Sequence, residues 1–374
     1  MRTNYPQFHE DVAFGRAKGK IIWQPRIGCW YDDKIFASGT LPEPYSGMDI
    51  YQVYEAIDCS ARLYDYNSCF YRIEHPQTSI TSRSLNETDT QWTIQTPVGK
   101  QTAIGRKSFN SPHQITAKWE IETEEDFKVA RWREENCDWG WNEEQFQKLN
   151  HKIGHLGAPT MFMPRMNVQA LYIEKMGVEN AVYAIFEKPE IVESYFRALE
   201  ENQSLLINVI NSSPINIINF GENVHAGTLS PPFFEKYHLP ECQRRCEKLH
   251  SAGKFVCSHW DGDTKPLLRY AHETGLDGIE AITPIPQGDV TLKEVKAALG
   301  DDMFLLDGIP AIYFDEMFPV EKLIDCVHQI IDLFAPHLIL GISDEISSSG
   351  DLERVKIVRD IVDKYNSEID SKES

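Results

Sequence analysis

The second half of this chain alternates helix-patterned and strand-patterned segments with a regularity that few folds accommodate. Residues 191–209 have helical spacing, and the apolar run Ile215-Asn216-Ile217-Ile218-Asn219-Phe220 that follows stops at Gly221-Glu222. A helix pattern over 232–250 leads into a strand that ends at His259. Then come helix 265–273, strand 278–282, a helix to Leu299, strand 303–307, helix 320–334, strand 338–343 and helix 352–365. Thr291-Leu292-Lys293-Glu294 is a capping-box signature, in which the Thr oxygen and the Glu carboxylate satisfy free N–H groups at the helix start. Parallel strands need crossover connections of this length, so strand–helix units starting roughly 25 to 40 residues apart imply a parallel sheet. Their number favours a closed (β/α)8 TIM barrel. The doubly wound sheet is the alternative, although no G-x-G-x-x-G follows any of the strands.

The first half is less regular. Residues 91–105 read as a hairpin turning at Pro97-Val98-Gly99, and 114–121 supplies a third antiparallel strand. Residues 124–135 form a helix and 159–164 an early barrel strand. We expect one barrel domain over 1–374, with roughly 1–150 forming an N-terminal antiparallel β elaboration plus the first barrel elements, and 366–374 a frayed polar tail.

Several strand-like runs stop on a group with chemistry. Lys254-Phe255-Val256-Cys257-Ser258-His259-Trp260-Asp261-Gly262 places an imidazole and a carboxylate two residues apart, hence on one side of an extended strand. Glu280 lies in the next run, Gly278-Ile279-Glu280-Ala281-Ile282, Asp307 ends Leu305-Leu306-Asp307, and Asp344 follows Leu338-Ile339-Leu340-Gly341-Ile342-Ser343. Strand ends of a β/α barrel converge on one mouth, so residues far apart in sequence can share a ligand. His259, Glu280, Asp261 and Asp344 are therefore candidate metal ligands, and Glu222, His225 and Asp307 candidate catalytic or substrate contacts. The competing interpretation is that such groups only cap loops or satisfy buried hydrogen bonds. His238, Cys242, Cys246 and His250 also stand four apart on one helical stripe, but twelve residues of helix span roughly 18 Å, too far for one ion. His151 and His155 share the same spacing, yet Gly154 and the missing intervening glutamate argue against a zincin-like site. Trp23, Trp30, Tyr31, Tyr45 and Tyr51 either stack on an aromatic ligand or are ordinary core and surface rings.

Composition excludes some partners. With 57 acidic against 37 basic residues, a net charge of −20 leaves no basic footprint for nucleic acid or an anionic membrane. No apolar stretch approaches a membrane span, and the polar start lacks a signal-peptide core, so a cytoplasmic protein is expected. Eight scattered cysteines without a CxxC pair imply buried free thiols.

Gly221-Glu222-Asn223-Val224-His225, Ser230-Pro231-Pro232-Phe233-Phe234-Glu235-Lys236-Tyr237-His238-Leu239-Pro240, Gly253-Lys254 into His259-Trp260-Asp261-Gly262, and Gly275-Leu276-Asp277-Gly278-Ile279-Glu280 together resemble the uroporphyrinogen decarboxylase superfamily. The resemblance spans roughly residues 165–365 and is loose before them. It implies a (β/α)8 barrel. That superfamily includes zinc-dependent methyltransferases that act with corrinoid proteins, and it resembles the catalytic barrel of cobalamin-independent methionine synthase. The decarboxylases carry an Arg-Gln-Ala-Gly-Arg-Tyr segment that grips substrate carboxylates. Here Pro25-Arg26-Ile27-Gly28-Cys29-Trp30-Tyr31 leaves one arginine where two are expected, and the resemblance makes Arg26 a candidate substrate contact. The methyltransferase branches hold zinc with His-x-Cys, often a Glu on the next strand, and a later Cys. Here the matching positions read His259-x-Asp261, Glu280 and Ser343-Asp344. Loss of both thiolates leaves a harder ion, better suited to an oxygen than to a thiol.

The resemblance thus implies zinc, a corrinoid carried by a partner protein, a small methoxylated aromatic substrate and a possible homodimer. The leading expectation is a corrinoid-dependent O-demethylase component that moves a methyl group from that substrate to Co(I). The alternatives are a uroporphyrinogen-decarboxylase-like decarboxylase, a methylcorrinoid-to-acceptor methyltransferase, or a binding relative without turnover. A second arginine at the mouth would favour decarboxylation. The chain has no Asp-x-His-x-x-Gly segment to hold a corrinoid of its own.

Overall fold

Seven strands form one parallel sheet in the computed structural model of the protein, which describes residues 3–373. They are β1 (Ile22–Trp23), β2 (Thr160–Met163), β3 (Ile217–Phe220), β4 (Phe255–His259), β5 (Gly278–Glu280), β6 (Phe304–Pro310) and β7 (Leu338–Ser343). The order across the sheet is β1-β7-β6-β5-β4-β3-β2, and each neighbouring pair runs parallel. Both faces are covered, which is why β4, β6 and β7 are buried at every position and read as near-continuous apolar runs.

The sheet is curled, and its seven strands ladder in parallel from β1 to β2. Residues 59–63 lie extended between edge strands β1 and β2. Leu63 bridges Pro159 in parallel, Ala61 N donates to Leu156 O at 2.8 Å, and Gln24 Nε2 donates to Ser60 Oγ at 3.0 Å. On the β1 side it is the Gln24 side chain that reaches this segment, so no ladder registers there.

Two apolar clusters separate the faces of the sheet. Inside, Ile22, Ala158, Ile217, Phe255, Phe304 and Ile339 pack against Val12 and Ala13 of the helix Tyr5–Ala13, which plugs the amino ends of the strands. Outside, amphipathic helices bury one stripe each. In Val320–Phe334 that stripe is Leu323, Val327, Ile330, Ile331 and Phe334. The Thr291 box forms as its spacing predicts, with Glu294 N donating to Thr291 Oγ1 at 3.2 Å and Thr291 N to Glu294 Oε2 at 2.8 Å.

Three expectations are corrected. Residues 265–273 contain only the short 3-10 turns Leu268–Tyr270 and His272–Thr274, because Pro266 and Gly275 bracket too few residues for a stable α-helix. The polar tail is helical, as part of Leu352–Glu373. Asn366 ties it down by accepting from Ile21 N at 3.0 Å and donating to Ile21 O at 2.8 Å, and Lys20 pairs with Asp370 at 2.5 Å. The N-terminal sheet has four antiparallel strands, since Ser79–Ser84 joins Asp89–Thr96, Gly99–Lys107 and Gln114–Lys118. Ser79–Ser84 is exposed throughout and carries no apolar alternation to announce it.

Among the described residues, no helix is long and apolar enough to cross a membrane.

Candidate active site

At the carboxyl end of the sheet, successive strands deliver Arg26, Arg62, Glu222, His259, Glu280, Asp307 and Asp344, each at or just beyond a strand or extended segment. His259 and Glu280 are in register on β4 and β5, and His259 Nδ1 lies 2.7 Å from Glu280 Oε2. Both are buried, Glu280 completely. Glu280 Oε1 accepts from Tyr64 OH at 2.9 Å and from Arg62 Nη1, while Asn219 Nδ2 donates to Tyr64 OH at 2.8 Å.

Arg62 is the hub of this group. Its Nη2 donates to Asp307 Oδ1 at 2.8 Å and its Nη1 to Asp307 Oδ2 at 3.3 Å, the two-pronged geometry that suits a guanidinium on a carboxylate. The side chain is 5% exposed and Nε is buried without a partner. Asp307 follows Leu306, which faces inward, so plain alternation would turn it outward. A left-handed backbone at φ 76° re-aims it, and Gly341 makes room, since a Cβ there would stand 2.0 Å from Asp307 Oδ1. Ala281 and Asp344 are also left-handed, at φ 67° and 64°. A left-handed backbone, which non-glycine residues adopt at a cost, thus stands just past the ends of β5 and β7 and within β6.

The electrostatics follow from burial and from the two arginines. Burial pushes Glu280 up, but Arg62 and Arg26 beside it outweigh this and hold the carboxyl well below its usual range. Burial also pushes Asp307 up, to about 6, against the pull of Arg62 and with help from the Glu280 charge. Glu280 is the carboxylate we take as ionised, since Arg62, Tyr64 and His259 all face it, and opposite an anion His259 Nδ1 carries its proton. That leaves Nε2 as the histidine atom able to meet a ligand.

The remaining expected residues lie at varied distances from this centre. Asp261 has one buried oxygen without a partner. Asp344 is 56% exposed and sits 3.7 Å from Arg26, which also meets Glu345 at 3.5 Å. Glu222 is wholly buried, with Oε1 accepting from Met166 N at 2.9 Å. His225 bonds Thr228 Oγ1 at 3.1 Å, in a loop fastened to the one after β4 by Val224 N to His259 O at 3.2 Å and Ala226 N to Asp263 O at 2.8 Å. Trp23, Trp30 and Tyr45 are buried core rings. Trp23 stacks on Phe314 and donates to Val355 O, and Trp30 meets Tyr45 edge-on. Tyr31 packs against the same core, and Tyr51 donates to Asp65. The aromatic pair beside the buried acids is instead Tyr64 and Phe162, with centroids 4.8 Å apart.

A metal would need three or more donors at one point. His259 and Glu280 supply two that already bond each other, both Glu280 oxygens are engaged, and Asp344 is drawn to Arg26. Among the described residues no three His, Cys, Asp or Glu side chains stand together in a way that would hold an ion. The donor set as folded does not fit zinc.

Arg62, Tyr64 and Phe162 were missed by sequence reasoning. A polar residue inside Ala61-Arg62-Leu63 is the one available signal, and it has no meaning until that segment is placed in the sheet.

The fold is shared with a methyltransferase from Methanosarcina mazei at a TM-score of 0.51 and 14% identity, over 69% of this chain and 74% of that one. No curated protein matches the chain in sequence. Residues 152–365, more than half of the chain, match the uroporphyrinogen decarboxylase (URO-D) family, and they contain β2 to β7 with His259, Glu280 and Asp307, so this protein belongs to that family.

Proposed function

We propose that this protein is a methyltransferase that moves a methyl group from a small methoxylated, aromatic substrate to the Co(I) corrinoid of a partner protein, within a curled sheet that the 59–63 segment completes as a (β/α)8 barrel. Family membership and the methyltransferase fold neighbour support it. The observation that carries it is the His259–Glu280 pair at the end of the sheet, an imidazole whose Nδ1 lies 2.7 Å from a buried carboxylate and which is suited to pass a proton to a leaving oxygen.

The corrinoid supplies the nucleophile that takes the methyl group. Cleaving an aryl methyl ether sends the electron pair of the C–O bond to oxygen, and that oxygen must be protonated or held as a phenolate. Glu280, kept anionic by Arg62, stabilises a positive charge on His259, whose Nε2 donates the proton to the leaving oxygen. Tyr64 and Phe162 offer ring faces beside the acids. No step passes through a metal, because the donor set does not fit one.

A decarboxylase reading has its own support in the second arginine, Arg62. Yet Arg62 and Arg26 face four carboxylates, Glu280, Asp307, Asp344 and Glu345. The guanidinium charge is spent internally, and a polycarboxylate substrate meets net repulsion.

The test is anaerobic incubation with a reduced corrinoid protein and a panel of methoxybenzenes, with the released phenol measured by chromatography. We expect release by wild type and a loss of roughly 10²- to 10⁴-fold in His259→Ala with unchanged circular dichroism. Consumption of uroporphyrinogen, with no phenol released from any ether, would move the decarboxylase reading ahead.

A further inference from the structure

The groups best placed to hold a cation in this protein already hold one. Glu280 and Asp307 present oxygen atoms to one point inside the sheet, with Tyr64 OH donating to the near oxygen of Glu280 and His259 bonded to its far oxygen. Carboxylates and an imidazole are donor types that a divalent metal takes, but as folded they are held by Arg62 and by one another, and among the described residues no three of them stand together to meet an ion. The atom group at their centre is the Arg62 guanidinium, whose Nη1 and Nη2 contact both carboxylates.

We infer that Arg62 is the built-in cation of this site and replaces the metal, so that the protein as folded takes no zinc at His259, Glu280 and Asp307. Three features of the chain are devoted to placing it. Residues 59–63 enter between β1 and β2 without a full ladder and thread Arg62 into the interior, where it is 5% exposed. Asp307 adopts a left-handed backbone to face it. Gly341, where any side chain would strike Asp307 Oδ1, completes the cradle. Two buried carboxylates this close repel strongly in a low dielectric, and a fixed guanidinium offsets that repulsion without exchanging with solvent. Zinc can enter only by displacing a charge tethered to the backbone.

Arg62 acts through its neighbours, as a positioning residue that keeps Glu280 anionic behind His259. This deepens the methyl-transfer reading by naming the cation of the site. Metal binding is measured without turnover, so the two readings fail separately. A protein that transfers no methyl group and still refuses zinc refutes only the first.

The experiment uses the full chain as wild type, Arg62→Ala, Arg62→Lys and His259→Ala, each equilibrated with zinc, desalted, and measured by elemental mass spectrometry and by thermal melting with and without the ion. We expect wild type to retain substoichiometric zinc with an unchanged Tm. Arg62→Ala, with the carboxylates freed, should bind about one zinc per chain and melt higher with zinc than without. Arg62→Lys retains the charge and should stay metal-free. Near-stoichiometric zinc in wild type that His259→Ala loses would overturn the inference. So would an Arg62→Lys protein that binds zinc as Arg62→Ala does, or a folded Arg62→Ala protein that binds none. Should Arg62→Ala not fold, the wild-type stoichiometry and Arg62→Lys still decide.

Discussion

Glu222 makes the stability of this protein depend on pH in a direction opposite to that of ordinary surface carboxylates. It follows β3, accepts one hydrogen bond from Met166 N at 2.9 Å, and leaves Oε2 buried with no partner. Burial pushes its carboxyl up to about 8, against the pull of Arg245. In the unfolded chain the same group titrates near its ordinary value of 4.5. Between those values the folded state binds one more proton than the unfolded state, so this group's contribution is fully present below about 4.5 and declines until about pH 8. At about 1.4 kcal/mol per pH unit, the interval amounts to about 5 kcal/mol.

Glu222→Gln removes the titration while keeping an oxygen for Met166 N. Wild type and variant should be nearly equal at pH 5, and the variant should be the more stable by about 5 kcal/mol at pH 9. With an unfolding entropy of about 2.1 cal/mol/K per residue, that is a gap of about 6 °C in Tm. Thermal melts of both proteins from pH 5 to pH 9 measure it. Parallel curves across that range would refute the reasoning, because they would mean that Glu222 is ionised in the folded protein.

Gly341→Ala should destabilise by about 3 kcal/mol or more, since its Cβ meets Asp307 Oδ1 at 2.0 Å and Gln24 O at 3.0 Å and must push Asp307 off Arg62; urea unfolding measures it. Arg245→Met, which strips the buried Glu241 of a 2.6 Å ion pair, should cost about 3–5 kcal/mol by the same assay. It should also move the Glu222 titration to higher pH, because Arg245 is the main group holding that carboxyl down.

The repeating part of the fold was legible from residue 191 onward because each strand there is buried on both faces and each helix buries one stripe, so the two periodicities are unmixed. Ser79–Ser84 was not, since an exposed strand needs no apolar alternation. The helical tail was hidden for a different reason. Its polar composition is that of a frayed end, and what orders it is Asn366 on the Ile21 backbone, a contact about 345 residues away in sequence. His259 and Glu280 were readable as strand ends and do meet, but their partners were not. Trp23 and Trp30 stayed open between a ligand wall and the core because ring content says nothing about which face of a sheet a ring joins, and they are core rings. Tyr64 and Phe162 flank the acids instead.

Arg62 escaped for the most instructive reason. A strand is recognised by burial on a regular ladder, and residues 59–63 reach the interior by one bridge and a few side-chain bonds, so their pattern is that of a loop. The same irregularity is what admits an arginine, because a laddered central strand at this position would be apolar on both faces, as β4, β6 and β7 largely are. The left-handed residues Ala281, Asp307 and Asp344 mark the opposite side of the same design. Ala281 and Asp344 stand just past the last residues of β5 and β7 and Asp307 lies within β6, and the backbone bends there where a side chain must be turned toward the site or the chain must leave the sheet. Among the described residues five non-glycine positions have a left-handed backbone, and three of them, Ala281, Asp307 and Asp344, stand at the carboxyl end of the sheet where Arg62 and Arg26 sit, which is a structural argument that this end carries the chemistry.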